Sequence, residues 1–92
     1  MYTSRHSLKL MGYYVYMLKS LGKKSVTYVG YTKNLSNRIR LHNSGKGAKF
    51  TRGRKWRVIY KEKLSSKNKA ISREYYIKKN RVLRNKIKNE RI

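Results

Sequence analysis

Two short runs rich in aromatic and β-branched residues lie near the start of the chain, with a polar segment between them. The first run is residues 13–18 (YYVYML) and the second is residues 26–31 (VTYVGY). Both compositions suit strand interiors, and a loop around Gly22 is typical of a hairpin with a longer connection. The two runs therefore predict a pair of antiparallel strands. If the turn is centred on Gly22, facing residue numbers sum to about 44, which predicts that Tyr16 lies directly opposite Tyr28.

The hydrophobic period changes after the second run. Residues now recur at helical spacing, at Leu35, Ile39 and His42. Asn34 is a good residue to cap such a helix, and Asn43 or Gly45 is a good residue to end it. Arg38 lies on the same face as Leu35 and His42. The helix is therefore expected to direct an Arg and a His toward the surface on which its apolar residues pack.

A basic loop and a third strand follow this helix. Residues 44–55 are rich in Gly, Lys and Arg and contain one aromatic residue. Residues 56–62 alternate in the manner of a strand. The alternation predicts one face with Trp56, Val58, Tyr60 and Glu62, and an opposite face with Arg57, Ile59 and Lys61.

The last third of the chain is predicted to be helical. Ser65 or Ser66 can cap a helix that runs through Lys79, and Asn80 can cap a second helix that runs through Ile92. The predicted order is strand-strand-helix-strand-helix-helix. This order indicates an α+β fold in which a small three-stranded antiparallel sheet is flanked by helices.

The length of the chain limits its organisation. A chain of 92 residues, of which 38% are hydrophobic, forms one small core. We expect a single domain over residues 12–92, preceded by a flexible basic arm at residues 1–11. No stretch approaches the roughly 18 apolar residues of a membrane span, so we expect a soluble, cytoplasmic protein without a membrane partner. Organelle targeting by residues 1–10 is the less favoured alternative.

The charge of the chain indicates a polyanionic partner. The sequence contains 26 Lys and Arg residues against 3 acidic residues, a formal net charge of +23. The basic residues are spread over the predicted arm, loop and C-terminal helices, so phosphate contacts are expected to be numerous and mostly independent of sequence. No zinc finger, helix-turn-helix or other sequence-reading motif is present. Nucleic acid is therefore the expected partner, bound non-specifically or by its structure.

The three acidic residues limit the chemistry. Glu62 ends a predicted strand and Glu90 lies in the last helical turn, whereas Glu74 shares an apolar stripe with Ala70 and Ile77. A charge in such a stripe needs a cation, which can be Arg38 or a Lys in a salt bridge, or a divalent metal ion. Spacing alone does not decide between a salt bridge and a metal ion.

Other catalytic chemistries are excluded by composition. There is no Cys and no Asp, so Ser/His/Asp and Cys/His nucleophile arrangements and thiolate metal sites cannot form. Two-metal phosphodiester cleavage needs several converging carboxylates, which three glutamates cannot supply. One metal ion is the most that such a chain could hold.

Two tripeptides and three single residues together resemble the pattern of a known family. Tyr14-Val15-Tyr16 and Tyr28-Val29-Gly30 are similar to the two tripeptides that name the GIY-YIG nuclease superfamily, and Arg38, His42 and Glu74 follow in its order and spacing. The resemblance covers about residues 13–79. It is closest to the short single-domain bacterial members, which share the run NSGKGAK at residues 43–49. The first tripeptide departs from the family pattern because Tyr14 replaces its leading Gly.

The resemblance implies a metal-dependent endonuclease acting on DNA. It implies that Tyr16 and Tyr28 face each other and that one of them positions or deprotonates the attacking water. Arg38 would bind the scissile phosphate, Glu74 would hold one Mg²⁺ or Mn²⁺ ion, and His42 would support catalysis. The candidate nucleic-acid-binding residues are Lys33, Lys46, Lys49, Arg52 and Arg54.

Two alternatives accompany this interpretation. Composition alone also fits a basic nucleic-acid-binding module without catalytic activity, although such a module has no use for Glu74 among its cations. Members of the superfamily usually gain target choice from an appended domain, for which this chain has no room. A partner protein that supplies specificity is therefore an open expectation.

Overall fold

The computed structural model describes residues 12–90. Their elements are β1 (Tyr13–Ser20), β2 (Thr27–Thr32), α1 (Leu35–Asn43), a 3₁₀ turn (Lys49–Thr51), β3 (Trp56–Leu64), α2 (Lys67–Lys79) and α3 (Arg81–Glu90). The predicted α+β class and element order are confirmed. The predicted basic arm and the terminal residue Ile92 lie outside the described residues.

The three strands form one antiparallel sheet in the order β2-β1-β3. The central strand β1 is buried on both faces, with Val15, Tyr16, Met17 and Leu18 all inaccessible or nearly so. One face packs on α2 and α3, in a cluster that contains Val15, Met17, Val29, Ile59, Ala70, Ile77 and Ile87. The other face packs on α1, in a cluster built on Tyr16, Leu18 and Trp56. We call the second one the α1 face of the sheet.

The β1–β2 pairing differs from the prediction by two residues. Tyr16 pairs with Gly30, and Tyr28 pairs with Leu18. The prediction of directly opposed tyrosines was wrong because the loop is closed by Ser20 and Val26: the Ser20 amide donates to the Val26 carbonyl at 2.9 Å, and the Val26 amide donates to Ser20 Oγ at 2.9 Å. A shift of two residues preserves the side-chain face, so both tyrosines still lie on the α1 face as diagonal neighbours.

A β-bulge in β3 overturns the predicted alternation. Met17 pairs with Tyr60 and Leu18 with Val58, so Ile59 is an extra residue of β3 without a partner in β1. Trp56 and Val58 therefore pack in the cluster of the α1 face, whereas Ile59 and Tyr60 both pack in the cluster beneath α2 and α3. The alternation predicted that Tyr60 and Glu62 share a face with Trp56 and Val58. The bulge places them on the opposite face, beneath α2 and α3.

Side-chain caps begin the helices where the sequence predicts them. The Asn34 side chain accepts a hydrogen bond from the Asn37 amide, Ser66 Oγ accepts one from the Lys69 amide, and Asn80 Oδ1 accepts one from the Leu83 amide. Within residues 12–90, no helix has the length and apolar character needed to cross a bilayer.

Glu62 links β3 to α2. Its Oε1 atom accepts hydrogen bonds from the Tyr60 hydroxyl and from Arg73 Nε, both at 2.8 Å. Partial burial raises the pKa of the Glu62 carboxyl, but the hydrogen bonds from Arg73 and Tyr60 outweigh burial and leave the pKa below its ordinary value. The ionised form of Glu62 therefore stabilises the fold.

We predict that Glu62→Gln lowers the free energy of unfolding near neutral pH by about 1 kcal/mol or less, because the pair is partly exposed. Since the folded pKa is lowered, the stabilising effect is present above the unfolded value of about 4.3 and is lost as the pH falls through the folded value. Urea unfolding of both proteins near pH 7 and near pH 3 measures this. An equal difference at both pH values would contradict the prediction.

Candidate active site

Two strands and one helix bring the predicted tyrosines and histidine together. The ring centroids of Tyr16 and Tyr28 are 6.4 Å apart, and the His42 ring lies 5.8 Å from Tyr16 and 5.0 Å from Tyr28. Gly30 makes this arrangement possible, because a Cβ atom there would lie 2.6 Å from the Tyr16 hydroxyl and 3.1 Å from the Tyr28 ring. The three side chains therefore form one cluster on the α1 face.

A chain of hydrogen bonds fixes the proton positions in this cluster. Thr51 Oγ1 donates its one proton to the Ala48 carbonyl at 2.9 Å, so it accepts at 2.8 Å from His42 Nδ1. In neutral His42 the other nitrogen, Nε2, is then an acceptor, and the Tyr16 hydroxyl donates to it at 2.8 Å. Sequence reasoning missed Thr51, whose role depends on the fold of the loop.

Burial is the largest influence on the pKa values of both Tyr16 and His42. Burial, and next the neighbouring Tyr28, raise the pKa of the Tyr16 hydroxyl to about 12, although Arg38 opposes this. Burial and then the charge of Arg38 lower the pKa of His42. Both shifts favour a neutral Tyr16–His42 pair, as the hydrogen-bond directions require.

Arg38 carries an unsatisfied buried donor. Its Nε atom is buried and has no hydrogen-bond partner among the described residues. A buried donor left unpaired costs about 1–3 kcal/mol, and more when the group is charged. The electrostatic influence of Arg38 on Tyr16 and His42 shows that the guanidinium lies beside the cluster. An anion that accepts from Nε would remove this cost.

Glu74 approaches the cluster from α2. Its side chain is only 17% exposed, and Glu74 Oε2 lies 3.5 Å from Lys78 Nζ. Its negative charge contributes to the raised pKa of Tyr16, so the carboxylate and the hydroxyl interact electrostatically. Of the cations considered from sequence, a Lys rather than Arg38 pairs with Glu74.

The residues present fit a metal ion that takes few protein ligands. Across the described ranges, no three His, Cys, Asp or Glu residues are placed to hold an ion together. Mg²⁺ usually keeps several waters and is bound through one or two carboxylates plus substrate phosphates. Glu74 alone could supply that carboxylate.

The predicted nucleic-acid-binding residues are exposed. Lys33 lies with its Nζ atom 5.7 Å from the centre of the Tyr13 ring, and Lys46, Lys49, Arg52 and Arg54 lie in the basic loop between α1 and β3. Sequence reasoning missed Phe50 in the same loop. The residue is 57% exposed, and its ring stacks on Tyr28 at a centroid distance of 6.2 Å.

Trp56 holds this loop against the sheet. Its indole Nε1 donates to the Thr51 carbonyl at 2.9 Å, and its backbone is clamped by the Asn43 side chain, which accepts from the Trp56 amide and donates to the Trp56 carbonyl. The loop that carries Thr51 and Phe50 is therefore anchored at both α1 and β3.

The fold and this cluster define a small α+β domain with one polar cluster on the α1 face, and comparison with known proteins gives its family. Residues 12–88 match the family model described as the GIY-YIG catalytic domain. The chain therefore belongs to the GIY-YIG family, as the sequence resemblance indicated, and this is a nuclease family whose members act on nucleic acid and generally use a divalent metal.

Short bacterial proteins are among the relatives. The chain is 52% identical over 67 residues to UPF0213 protein CPE1444 of Clostridium perfringens, which covers 72% of this chain and 70% of the relative. It is 41% identical over 78 residues to a UPF0213 protein of Pediococcus pentosaceus, which covers 84% of this chain and 79% of the relative. No solved structure matches the chain.

We predict that His42 makes the fold sensitive to mild acid. Because the folded pKa is lowered, the stabilising effect of neutral His42 is present above the unfolded pKa of about 6.5 and is lost as the pH falls through the folded value. The urea concentration at the unfolding midpoint of the wild type should decrease as the pH is lowered from about 7 to about 5. In His42→Gln this fall should be much smaller. Because His6 is present in both proteins, the same pH dependence in the variant would contradict this role of His42.

Proposed function

We propose that the protein is a metal-dependent endonuclease that hydrolyses phosphodiester bonds in DNA with a single divalent ion. The observation that carries the proposal is the buried, unpartnered Nε of Arg38 beside the Tyr16–His42 pair. A fold does not leave a charged donor unsatisfied without cause, and the phosphate of a substrate is the acceptor that a planar guanidinium binds best. Membership of a nuclease family supports the cleavage of nucleic acid in this proposal.

Burial distinguishes the two tyrosines. Tyr16 is 1% exposed and donates its proton to His42, so it has no access to solvent water. Tyr28 is partly exposed and lies at the open side of the cluster. We assign contact with the attacking water to Tyr28. Tyr16 and His42 are positioning residues, which hold the Tyr28 ring through contacts that the Thr51 hydrogen bond keeps in place.

Arg38 would act on the phosphate directly. A guanidinium whose Nε atom is already buried loses little freedom when it binds, and its charge is worth more in a site with little water. Its Nε atom has no protein acceptor among residues 12–90 to give up on binding. Arg38 would therefore stabilise the negative charge that builds on the phosphate in the transition state.

Glu74 would hold the ion. An ion bound there would supply positive charge at the phosphate and promote ionisation of a bound water. The Glu74 side chain is mostly buried. In the described structure its ion pair with the exposed Lys78 involves Oε2. This leaves Glu74 Oε1 available as a ligand.

The basic loop supplies affinity without reading sequence. The side chains of Lys46, Lys49, Arg52 and Arg54 are exposed, and we assign them to phosphate contacts together with Lys33. Such contacts act equally on any sequence. Substrate choice must then come from the structure of the nucleic acid or from a partner protein.

We predict that Glu74→Gln abolishes cleavage in Mg²⁺ and leaves DNA affinity equal or higher, because it removes the ligand charge and one repulsion toward phosphate. Arg38→Ala should slow cleavage by about 10²-fold or more, because it removes charge stabilisation of the transition state. Single-turnover cleavage and binding without metal measure both effects. Glu62→Gln is the matched control: it also removes one carboxylate, but Glu62 is bonded to Tyr60 and Arg73 and is not part of the candidate site, so this variant should cleave as the wild type does.

Full activity in a folded Glu74→Gln variant would overturn the assignment of the metal ligand. If instead the wild type binds DNA but never cleaves it with any divalent ion, the chain is the non-catalytic binding module. Melting curves of each variant separate loss of fold from loss of chemistry. The ion pair with Lys78 predicts only a small change in melting temperature, because Lys78 is half exposed.

We also predict steep salt dependence of DNA binding. The formal net charge is +23, and each phosphate contact contributes about −0.9 to the slope of log affinity against log salt for duplex DNA. Removing one contact with Lys49→Ala should reduce the magnitude of this slope by about 1. Affinity measured from about 50 to 300 mM salt tests this, and a nearly flat dependence would show that the charge does not serve DNA binding.

A further inference from the structure

A small cavity opens beside the candidate site, at the edge of the sheet. Its volume is about 240 Å³, and it is lined by Thr27, Tyr28, Val29, Phe50, Lys78 and Arg84. It shares Tyr28 with the site, and Lys78 joins it to Glu74. A group bound in this cavity would therefore be next to a substrate held by the candidate active site.

Phe50 gives the cavity an exposed aromatic wall. Its ring lies at 20° to the Tyr28 ring and 6.3 Å from the centroid of Trp56, yet 57% of the residue stays exposed. The ring is positioned by its aromatic neighbours and still leaves a large apolar surface in water. An exposed aromatic ring in a basic loop is what proteins use to stack on bases of single-stranded nucleic acid.

The other walls suit the remaining parts of a nucleotide. Arg84 is fixed by donating to the carbonyls of Ile77 and Lys78 at the end of α2, and with Lys78 it places positive charge at the cavity. On the third side lies β2, an edge strand whose single neighbour in the described sheet is β1. The outer edge of such a strand presents unpaired backbone N–H and C=O groups, which can bond to the edge of a base.

We propose that this cavity binds one unpaired nucleobase, stacked on Phe50, from the nucleotide next to the scissile phosphate. A base within a continuous duplex has both faces stacked and its pairing edge covered, so it must leave the helix to enter such a cavity. The substrates would therefore carry an unpaired nucleotide at the cleavage point, as single strands, flaps and bulges do. This inference rests on the proposed function for the position of the phosphate.

Binding without divalent metal tests the base contact separately from cleavage. The probes are a short DNA single strand, the same strand with abasic sites at its central positions, and the matched duplex. Stacking on one aromatic side chain is worth about 1–3 kcal/mol, or about 5- to 150-fold in affinity. Phe50→Ala should lose that factor on the intact strand and lose little on the abasic strand.

Two further variants separate stacking from packing. Phe50→Leu keeps an apolar contact with Tyr28 and Trp56 but has no aromatic face, so it should bind as Phe50→Ala does. Phe50→Trp should retain the affinity of the wild type for the intact strand. Lys49→Ala is the matched control for charge, and it should weaken binding to intact and abasic strands by the same factor. Melting curves verify that each variant folds.

Cleavage in Mg²⁺ then separates this inference from the proposed function. The wild type should cut single strands and flaps faster than duplex, and Phe50→Ala should lose most of that preference. Equal binding of intact and abasic strands by the wild type, or wild-type binding and preference in Phe50→Ala, would overturn the base site. A base contact through Phe50 in a protein that never cleaves would overturn the nuclease assignment and leave the base site standing.

Discussion

The hydrogen-bond chain from Tyr16 through His42 to Thr51 is the interaction on which the site depends. It connects the central strand, the first helix and the basic loop, and all three of its side chains are fully buried or nearly so. Polar groups buried this deeply are tolerated only when every donor and acceptor is matched. The chain meets that condition with His42 neutral, and burial and the charge of Arg38 favour the same form because both lower the pKa of His42.

This arrangement ties stability to function in a chain with a small core. Tyr16, His42 and Thr51 are among the largest fully buried side chains, so the candidate site is itself part of the packing. Arg38 adds an uncompensated donor to this region, and the net charge of +23 repels itself throughout. Nucleic acid would relieve both costs at once, by accepting from Arg38 and by neutralising the surface, so binding should stabilise the fold.

Periodicity and capping residues predicted most of the fold, because Asn34, Ser66 and Asn80 act locally and apolar spacing reports which face is buried. The failures were non-local. The closure of the hairpin by Ser20 and Val26 and the bulge at Ile59 depend on how strands meet, which spacing along one strand does not contain. For the site, types and order of residues indicated Tyr16, Tyr28, Arg38, His42 and Glu74. Thr51, Phe50 and Arg84 were missed because only tertiary contacts give them a place.

The position of the site follows from the exposed edge of a very small sheet. The tyrosines, Arg38 and His42 belong to one face of the sheet, whereas Glu74, Lys78 and Arg84 come from helices on the other. Groups from opposite faces can meet only where the sheet ends, and β2 is an edge strand. Gly30 removes side-chain bulk from that strand at the point where the Tyr16 and Tyr28 rings need room. In the described sheet, the β2 edge is where both sets of charges could reach one phosphate, and on the proposed base site it is where an extended single strand would lie.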